Sequence, residues 1–189
     1  MNRHRAFIYS DNEFVAIKVP TGYMYEQGVV WEPEALRIVS YTPTSPHCTQ
    51  LLDEFTVPGK GSAGSHMCFV MPLYGGDVQA LVEARETALA LPLAKRIAFH
   101  LLRGIAHAHE RQVMRTDLKL DNVFFSTMMT ADDIGAWVTK EPSRRHPPEA
   151  SHDGEVHVAV SQPLPMISED DEMRATYLLA DLGCGTCFC

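Results

Sequence analysis

Short runs of β-favouring apolar residues alternate with polar breaks over the first third of the chain. Residues 6–9 (AFIY) and 14–19 (FVAIKV) flank the polar stretch SDNE and predict a β-hairpin. Residues 26–39 (EQGVVWEPEALRIV) carry a partly helical pattern that Gly28 and Pro33 interrupt. LLDEFTV (51–57) and HMCFVM (66–71) predict two more strands joined by the glycine-rich turn PGKGSAGS, and GGDVQALVEA (75–84) predicts the start of a short helix. The strongest periodicity lies in residues 91–110, LPLAKRIAFHLLRGIAHAHE. Ala94, Ile97, Ala98, Leu101, Leu102 and Ile105 recur there at spacings of three and four, which predicts one buried helix face. Pro92 sits near the start of that segment, where a proline is tolerated.

Beyond the helix the pattern changes. VMRTDLKLDNVFF reads as a polar loop closed by a strand. TADDIGAWVTKEP holds one short helix, and SRRHPPEASHDGE is too rich in proline, serine and charge to form a core. YLLADLG (177–183) is apolar again and predicts a strand running into a turn. Strands around a first helix, then a long helix, a loop, an insert and a final strand make an α+β order of elements.

Composition narrows the functional classes. The 189 residues are 46% hydrophobic and 21% charged, an ordinary globular balance with enough apolar matter for a core. A net charge of -8 argues against nucleic acid and against anionic membranes, both of which need a basic surface, and Arg144-Arg145-His146 is too short to reverse that. No apolar run is long enough to span a bilayer, and MNRHRAFIYSDNEF lacks the apolar core of a signal peptide. Five cysteines, an odd number with Cys48 and Cys68 far from Cys184, Cys187 and Cys189, do not read as a disulfide framework. The expected setting is reducing and intracellular, in cytoplasm or nucleus. Three terminal cysteines fall short of the four ligands of structural zinc and read as free thiols. The acidic run Glu169-Asp170-Asp171-Glu172 reads either as a solvated insert or as an attractor of basic substrate.

Three segments carry chemistry. Asp117-Leu118-Lys119-Leu120-Asp121-Asn122 places a carboxylate, a cation and an amide oxygen on one short loop after the long helix. Those are the types that orient a hydroxyl, offset phosphate charge and ligate Mg2+ in phosphoryl transfer from ATP. Val15-Ala16-Ile17-Lys18 puts a lysine into an apolar strand, where burial is costly unless an anion meets it; the plainer reading is an edge-strand lysine reaching water along its stem. Ala180-Asp181-Leu182-Gly183 ends an apolar strand with an aspartate and a glycine, suited to Mg2+ but equally to an ordinary turn.

Taken in order, these segments resemble the eukaryotic protein-kinase family. The run Gly104-Ile105-Ala106-His107-Ala108-His109-Glu110-Arg111-Gln112-Val113-Met114-Arg115-Thr116-Asp117 is similar to that family's helix and catalytic loop without a gap. Thr116 before Asp117, the segment LLDEF followed by a glycine-rich turn and HMCFVMPLYG, the spacer between Asn122 and Asp181 and the stretch PPEASHDGEVHVAVSQPLP all resemble SR-protein kinases of the fungal type. The resemblance implies a mainly β N-lobe over residues 1–73 and the beginning of a helical C-lobe over 74–189, with an insert at about 126–174. It implies that Lys18 holds the α- and β-phosphates and pairs with Glu32, with Glu34 as the alternative partner. Asp117 is then the catalytic base, and Lys119 steadies the γ-phosphate. Asn122 and Asp181 hold Mg2+. Ala16 and Val70 enclose the adenine, Met71 is the gatekeeper, Pro72 to Tyr74 form the hinge, and the Tyr74 backbone N–H reaches the adenine.

The implied activity is ATP- and Mg2+-dependent transfer of phosphate to serine or threonine hydroxyls, with Arg/Ser-rich proteins as the expected substrates. The alternative is a truncated pseudokinase that binds nucleotide or a partner without catalysis. The sequence departs from the family at five places: it has no glycine-rich phosphate loop, Arg115 replaces the catalytic-loop histidine, Pro33 directly follows Glu32, Leu182 replaces phenylalanine, and the given residues stop six after Gly183. The last departure leaves the C-lobe incomplete and predicts exposed apolar surface on the 91–110 helix.

Overall fold

A computed structural model describes residues 9–10, 13–20, 31–59, 64–115, 117–151, 154–157, 159–160, 162–182 and 185–187. The fold is mixed α+β, with small antiparallel sheets and a few helices. The chain divides into two bodies: residues 1–29, 52–71 and 129–163 in the first, and 30–51, 72–128 and 164–189 in the second. This division differs from two consecutive halves, because the 30–51 segment joins the second body and most of the insert joins the first.

The first body carries a four-stranded sheet in the order β1-β2-β4-β3, formed by β1 (Tyr9–Ser10), β2 (Glu13–Lys18), β3 (Asp53–Pro58) and β4 (Ser65–Pro72). The expected hairpin is present over its described part, with Tyr9 opposite Phe14 and Ser10 opposite Glu13; residues 6–8 lie outside the described residues. β3 and β4 pair antiparallel from Asp53↔Val70 to Pro58↔Ser65. Residues 60–63 of their connecting turn, and Gly28, also lie outside the described residues.

The second body begins with α1 (Glu32–Val39) and continues through β5 (Tyr74–Asp77), α2 (Val78–Glu83), α3 (Leu91–Glu110), β6 (Val113–Arg115) and β7 (Val123–Ser126). After the insert come β10 (Tyr177–Leu179) and β11 (Gly185–Cys187). The insert contributes α4 (Ala131–Lys140), a hairpin of β8 (Glu149–Ser151) and β9 (Gly154–Val156), and α5 (Glu169–Glu172). The helix expected in TADDIGAWVTKEP is α4, whose start is set by a reciprocal capping box between Thr130 and Asp133. Residues 141–150 are exposed throughout, so that part of the insert adds no core.

Two expectations about element bounds are corrected. The short helix does not begin at Gly75: residues 74–77 form β5, and α2 starts after Asp77, whose side chain accepts from Ala80 N at 2.8 Å. Gly75 and Gly76 belong to that strand because the Phe125 ring lies over them; a Cβ at Gly75 would come within 2.6 Å of it. Pro33 does not interrupt a helix either, because α1 starts at Glu32 and Pro33 falls in the first turn, where its missing N–H costs nothing.

The buried face of α3 also differs from expectation. Its bounds agree with the predicted segment, but its buried positions are Leu93, Ile97, His100, Gly104, His107 and Ala108. Ala98 and Leu102 face outward, Leu102 at 65% exposure, and Phe99 and Leu91 are exposed beside them. The expected exposed apolar surface on this helix is therefore present. On its inner side Val78, Leu81, Ile97, Val123, Phe125 and Tyr177 form the core of the second body.

Candidate functional site

The candidate loop is hung between two anchored strands. After α3, Gln112 adopts φ 61 and its N–H bonds His109 O at 2.9 Å, a left-handed helix stop. The chain then enters β6, where local pattern predicts loop; Val113 there is fully buried. β6 pairs with β11 from Arg115↔Gly185 to Val113↔Cys187, a partner far away in sequence that local patterning does not reveal. Thr116 lies outside the described residues. Leu118 and Leu120 are exposed at 48% and 44%, so the loop is held by polar contacts and not by apolar packing.

Asn122 supplies those contacts. It is completely buried, and its Nδ2 donates to Asp117 O at 3.0 Å and to Asp117 Oδ2 at 3.3 Å. Its backbone N–H donates to Lys119 O at 3.0 Å, and its carbonyl accepts from Ala180 N at 2.9 Å. The same residue thus ties the loop to itself and to the end of β10. Its Oδ1 is buried with no hydrogen-bond partner among the described residues. An orphaned buried carbonyl oxygen is expensive, and a cation is one of the few groups that compensates it.

Asp181 follows directly. The register Leu179↔Val123 and the Ala180–Asn122 bond bring it to the end of the β7–β10 pair where Asn122 stands. It adopts φ 56, a left-handed backbone that is uncommon for a residue with a Cβ and that recurs at functional sites. Buried Ala180 and Leu182 on either side hold it there.

Lys119 lies between two carboxylates, its Nζ 3.2 Å from Asp121 Oδ2 and 3.5 Å from Asp117 Oδ2. Its pKa is raised, first by the Asp121 hydrogen bond and then by the Asp117 charge. Asp121 is the site residue that sequence reasoning misses. Its signal is an acid two positions after a lysine, but that spacing alone does not distinguish a loop acid from a partner. Asp117 and Asp121 thus share one ammonium.

The donor types present, an amide oxygen and carboxylates, are ones that Mg2+ accepts. Among the described residues no group of three His, Cys, Asp or Glu side chains forms a metal cage of its own. Mg2+ commonly takes only one or two protein oxygens and completes its shell with water and substrate phosphates. Asn122 Oδ1 is an oxygen of that kind, and the backbone of Asp181 stands at the same sheet end.

The remaining predicted residues divide between the bodies. Ala16 and Lys18 share one face of β2 and are half-buried, opposite the buried Ile17. Val70 and Met71 end the part of β4 in the first body, both half-buried. Pro72 and Tyr74 open the second body's next stretch, the chain crossing from one body to the other after Met71. Tyr74 places its hydroxyl 3.3 Å from Thr49 Oγ1 and its ring 5.7 Å from that of Phe124, and burial raises its phenol pKa. Glu32, at the start of α1, is only 4% exposed. Glu34 is turned outward and bonds Arg37 at 3.3 Å, which leaves Glu32 as the inward carboxylate of the two.

The acidic run splits by role. Glu172 is buried and paired with Arg85, Asp171 caps α5 with Ser168 and bonds Arg174, and only Glu169 and Asp170 are exposed. Cys48 and Cys68 are free and buried, and burial pushes the Cys48 thiol up to about 12, which disfavours the thiolate. No described helix is long and apolar enough to cross a membrane. No protein-family model matches the chain, and no curated protein matches it.

Proposed function

We propose that the chain has a protein-kinase-like fold and acts in ATP- and Mg2+-dependent phosphoryl transfer to serine or threonine hydroxyls of a protein substrate, Arg/Ser-rich proteins among them. One observation carries the reading. Asn122 bonds Asp117 on one short loop and, through its carbonyl, Ala180 N just before Asp181 in the distant β10 segment, and it leaves a buried oxygen without a partner among the described residues. MgATP, when bound, supplies the phosphoryl group and a divalent charge that offsets its oxygens.

Each residue then has a definite task. Asp117 orients the attacking hydroxyl and receives its proton. Its carboxylate is kept in position by Asn122 Nδ2, and it remains 45% exposed, so a substrate hydroxyl can reach it. Lys119 provides a mobile positive charge beside that carboxylate. Asn122 and Asp181 offer oxygens to the metal. On this reading Lys18 is the phosphate-pairing lysine and Glu32 the carboxylate assigned to it. Ala16, Val70, Met71, Pro72 and Tyr74 serve the adenine.

The test is a thermal-shift titration with MgATP followed by transfer of labelled phosphate to an Arg/Ser peptide. Stabilisation by MgATP, together with transfer that Asp117→Asn abolishes, supports the reading. Stabilisation without transfer points to nucleotide binding alone. No stabilisation and no transfer sinks it.

A further inference from the structure

The outer edge of β10 is closed in an unusual way. On its inner edge the strand pairs with β7, so the backbone groups of Tyr177 and Leu179 point outward. Leu179 N donates to His47 O at 2.9 Å, and Thr49 N donates to Leu179 O at 2.8 Å, a short strand-like contact from the 47–49 segment. The two groups of Tyr177 are taken by side chains. His100 Nδ1 accepts from Tyr177 N at 3.1 Å, and His47 Nδ1 lies 3.1 Å from Tyr177 O. A carbonyl only accepts, so His47 donates; an amide only donates, so His100 Nδ1 carries no proton. The two rings pack against each other in a tilted pair, with centroids 4.3 Å apart and planes at 38°, and both residues are buried.

We propose that the paired imidazoles of His47 and His100 form a proton-sensitive clamp on the outer edge of β10, holding in register the strand that leads to the Asp181 turn. Protonating His100 at Nδ1 removes the acceptor for Tyr177 N and places a charge in a buried, already cationic neighbourhood. The groups acting on it are Arg96 and Arg103 from α3 itself and His47 from the segment after α1. From β10 it meets the Tyr177 ring, whose hydroxyl is engaged with Glu172 O, and from its own helix the neutral Phe99 ring. Burial first, then His47 and the two arginines, lower the His100 pKa to about 4. The neutral pair therefore closes the edge, and acid opens it. The clamp stands whether or not the chain transfers phosphate; only its consequence for Asp181 rests on that reading.

Amide hydrogen exchange on the whole chain, followed by NMR between pH 7 and 5 and corrected for intrinsic rates, tests the clamp. Ser126, whose N–H bonds Thr176 O at 2.9 Å on the inner side, serves as the internal reference. Relative to Ser126, protection of Tyr177 and Leu179 is expected to fall about ten-fold per pH unit below the ordinary histidine value of about 6.5, the limit for one linked proton. His100→Gln, which keeps an acceptor but takes no proton, is expected to show a flat ratio over the same range. A flat ratio in the unmodified chain, or an equal fall in His100→Gln, overturns the proposal. Imidazole nitrogen shifts of the unmodified chain give an independent check: a proton on Nδ1 of His100 at pH 7 refutes the clamp even where the variant fails to fold.

Discussion

Replacing Gly104 by alanine separates packing from helix propensity, because the two act with opposite sign. Gly104 lies in the interior of α3, where alanine is the better helix former by about 1 kcal/mol, so local preference alone makes Gly104→Ala stabilising. The tertiary contacts demand the reverse. A Cβ built on Gly104 comes 2.0 Å from His47 O, 3.1 Å from His47 C and 3.3 Å from Leu179 Cβ. Contacts below 3.0 Å essentially do not occur, and the obstructing atom is backbone, so helix and 47–49 segment must part by roughly an ångström. His47 O accepts from Leu179 N at 2.9 Å, and that bond does not survive such a shift. Overpacking costs about 1–3 kcal/mol and the lost buried bond about 1 kcal/mol. Set against the helix gain, the net loss is about 2 kcal/mol. Urea unfolding of both chains at neutral pH measures it, and a fall in midpoint with unchanged slope is the expected result. An unchanged or raised midpoint would mean that the 47–49 segment yields freely, refuting the close-packed anchoring of α3 on that segment.

Acid should weaken the fold through His100. Its folded pKa is depressed to about 4 while the unfolded chain titrates near 6.5, so the unfolded state takes the proton first and stability falls as pH drops from about 6.5 to 4, by up to about 3 kcal/mol. Equilibrium unfolding at pH 7, 5.5 and 4 checks this, and His100→Gln should flatten the acid limb. Glu172→Ala leaves Arg85, whose side chain is only 17% exposed, without its carboxylate and is expected to cost about 3 kcal/mol by the same assay. Thr130→Ala removes the side-chain half of the α4 capping box, leaving the backbone N–H of residue 130 bonded to Asp133 Oδ2, and should cost about 1 kcal/mol by the same assay.

Local pattern suffices where one element's own residues decide it. α3 is legible to its terminal residues because its apolar period is long and Pro92 sits in its first turn. The β3–β4 hairpin, the strand at 177–179 and the spacing of Asp117, Lys119 and Asn122 are legible for the same reason. Sequence alone does not assign groups whose partners lie far along the chain. Nothing in apolar periodicity marks His100, Gly104 and His107 as the buried face of α3 in place of Ala98 and Leu102. They are buried because they meet backbone groups: Tyr177 N for His100, His47 O for Gly104 and Val39 O for His107, the last at 2.9 Å. β6 escapes detection because its partner is β11, beyond the insert. Asp121 joins the site only because Lys119 bridges it to Asp117 in three dimensions. That Glu32 is buried and Glu34 exposed likewise depends on which side of α1 is covered. Periodicity reports which residues can be shielded from water, since that follows from their own chemistry. Which of them are shielded, and which polar atoms then find partners, depends on distant backbone groups that only folding brings near.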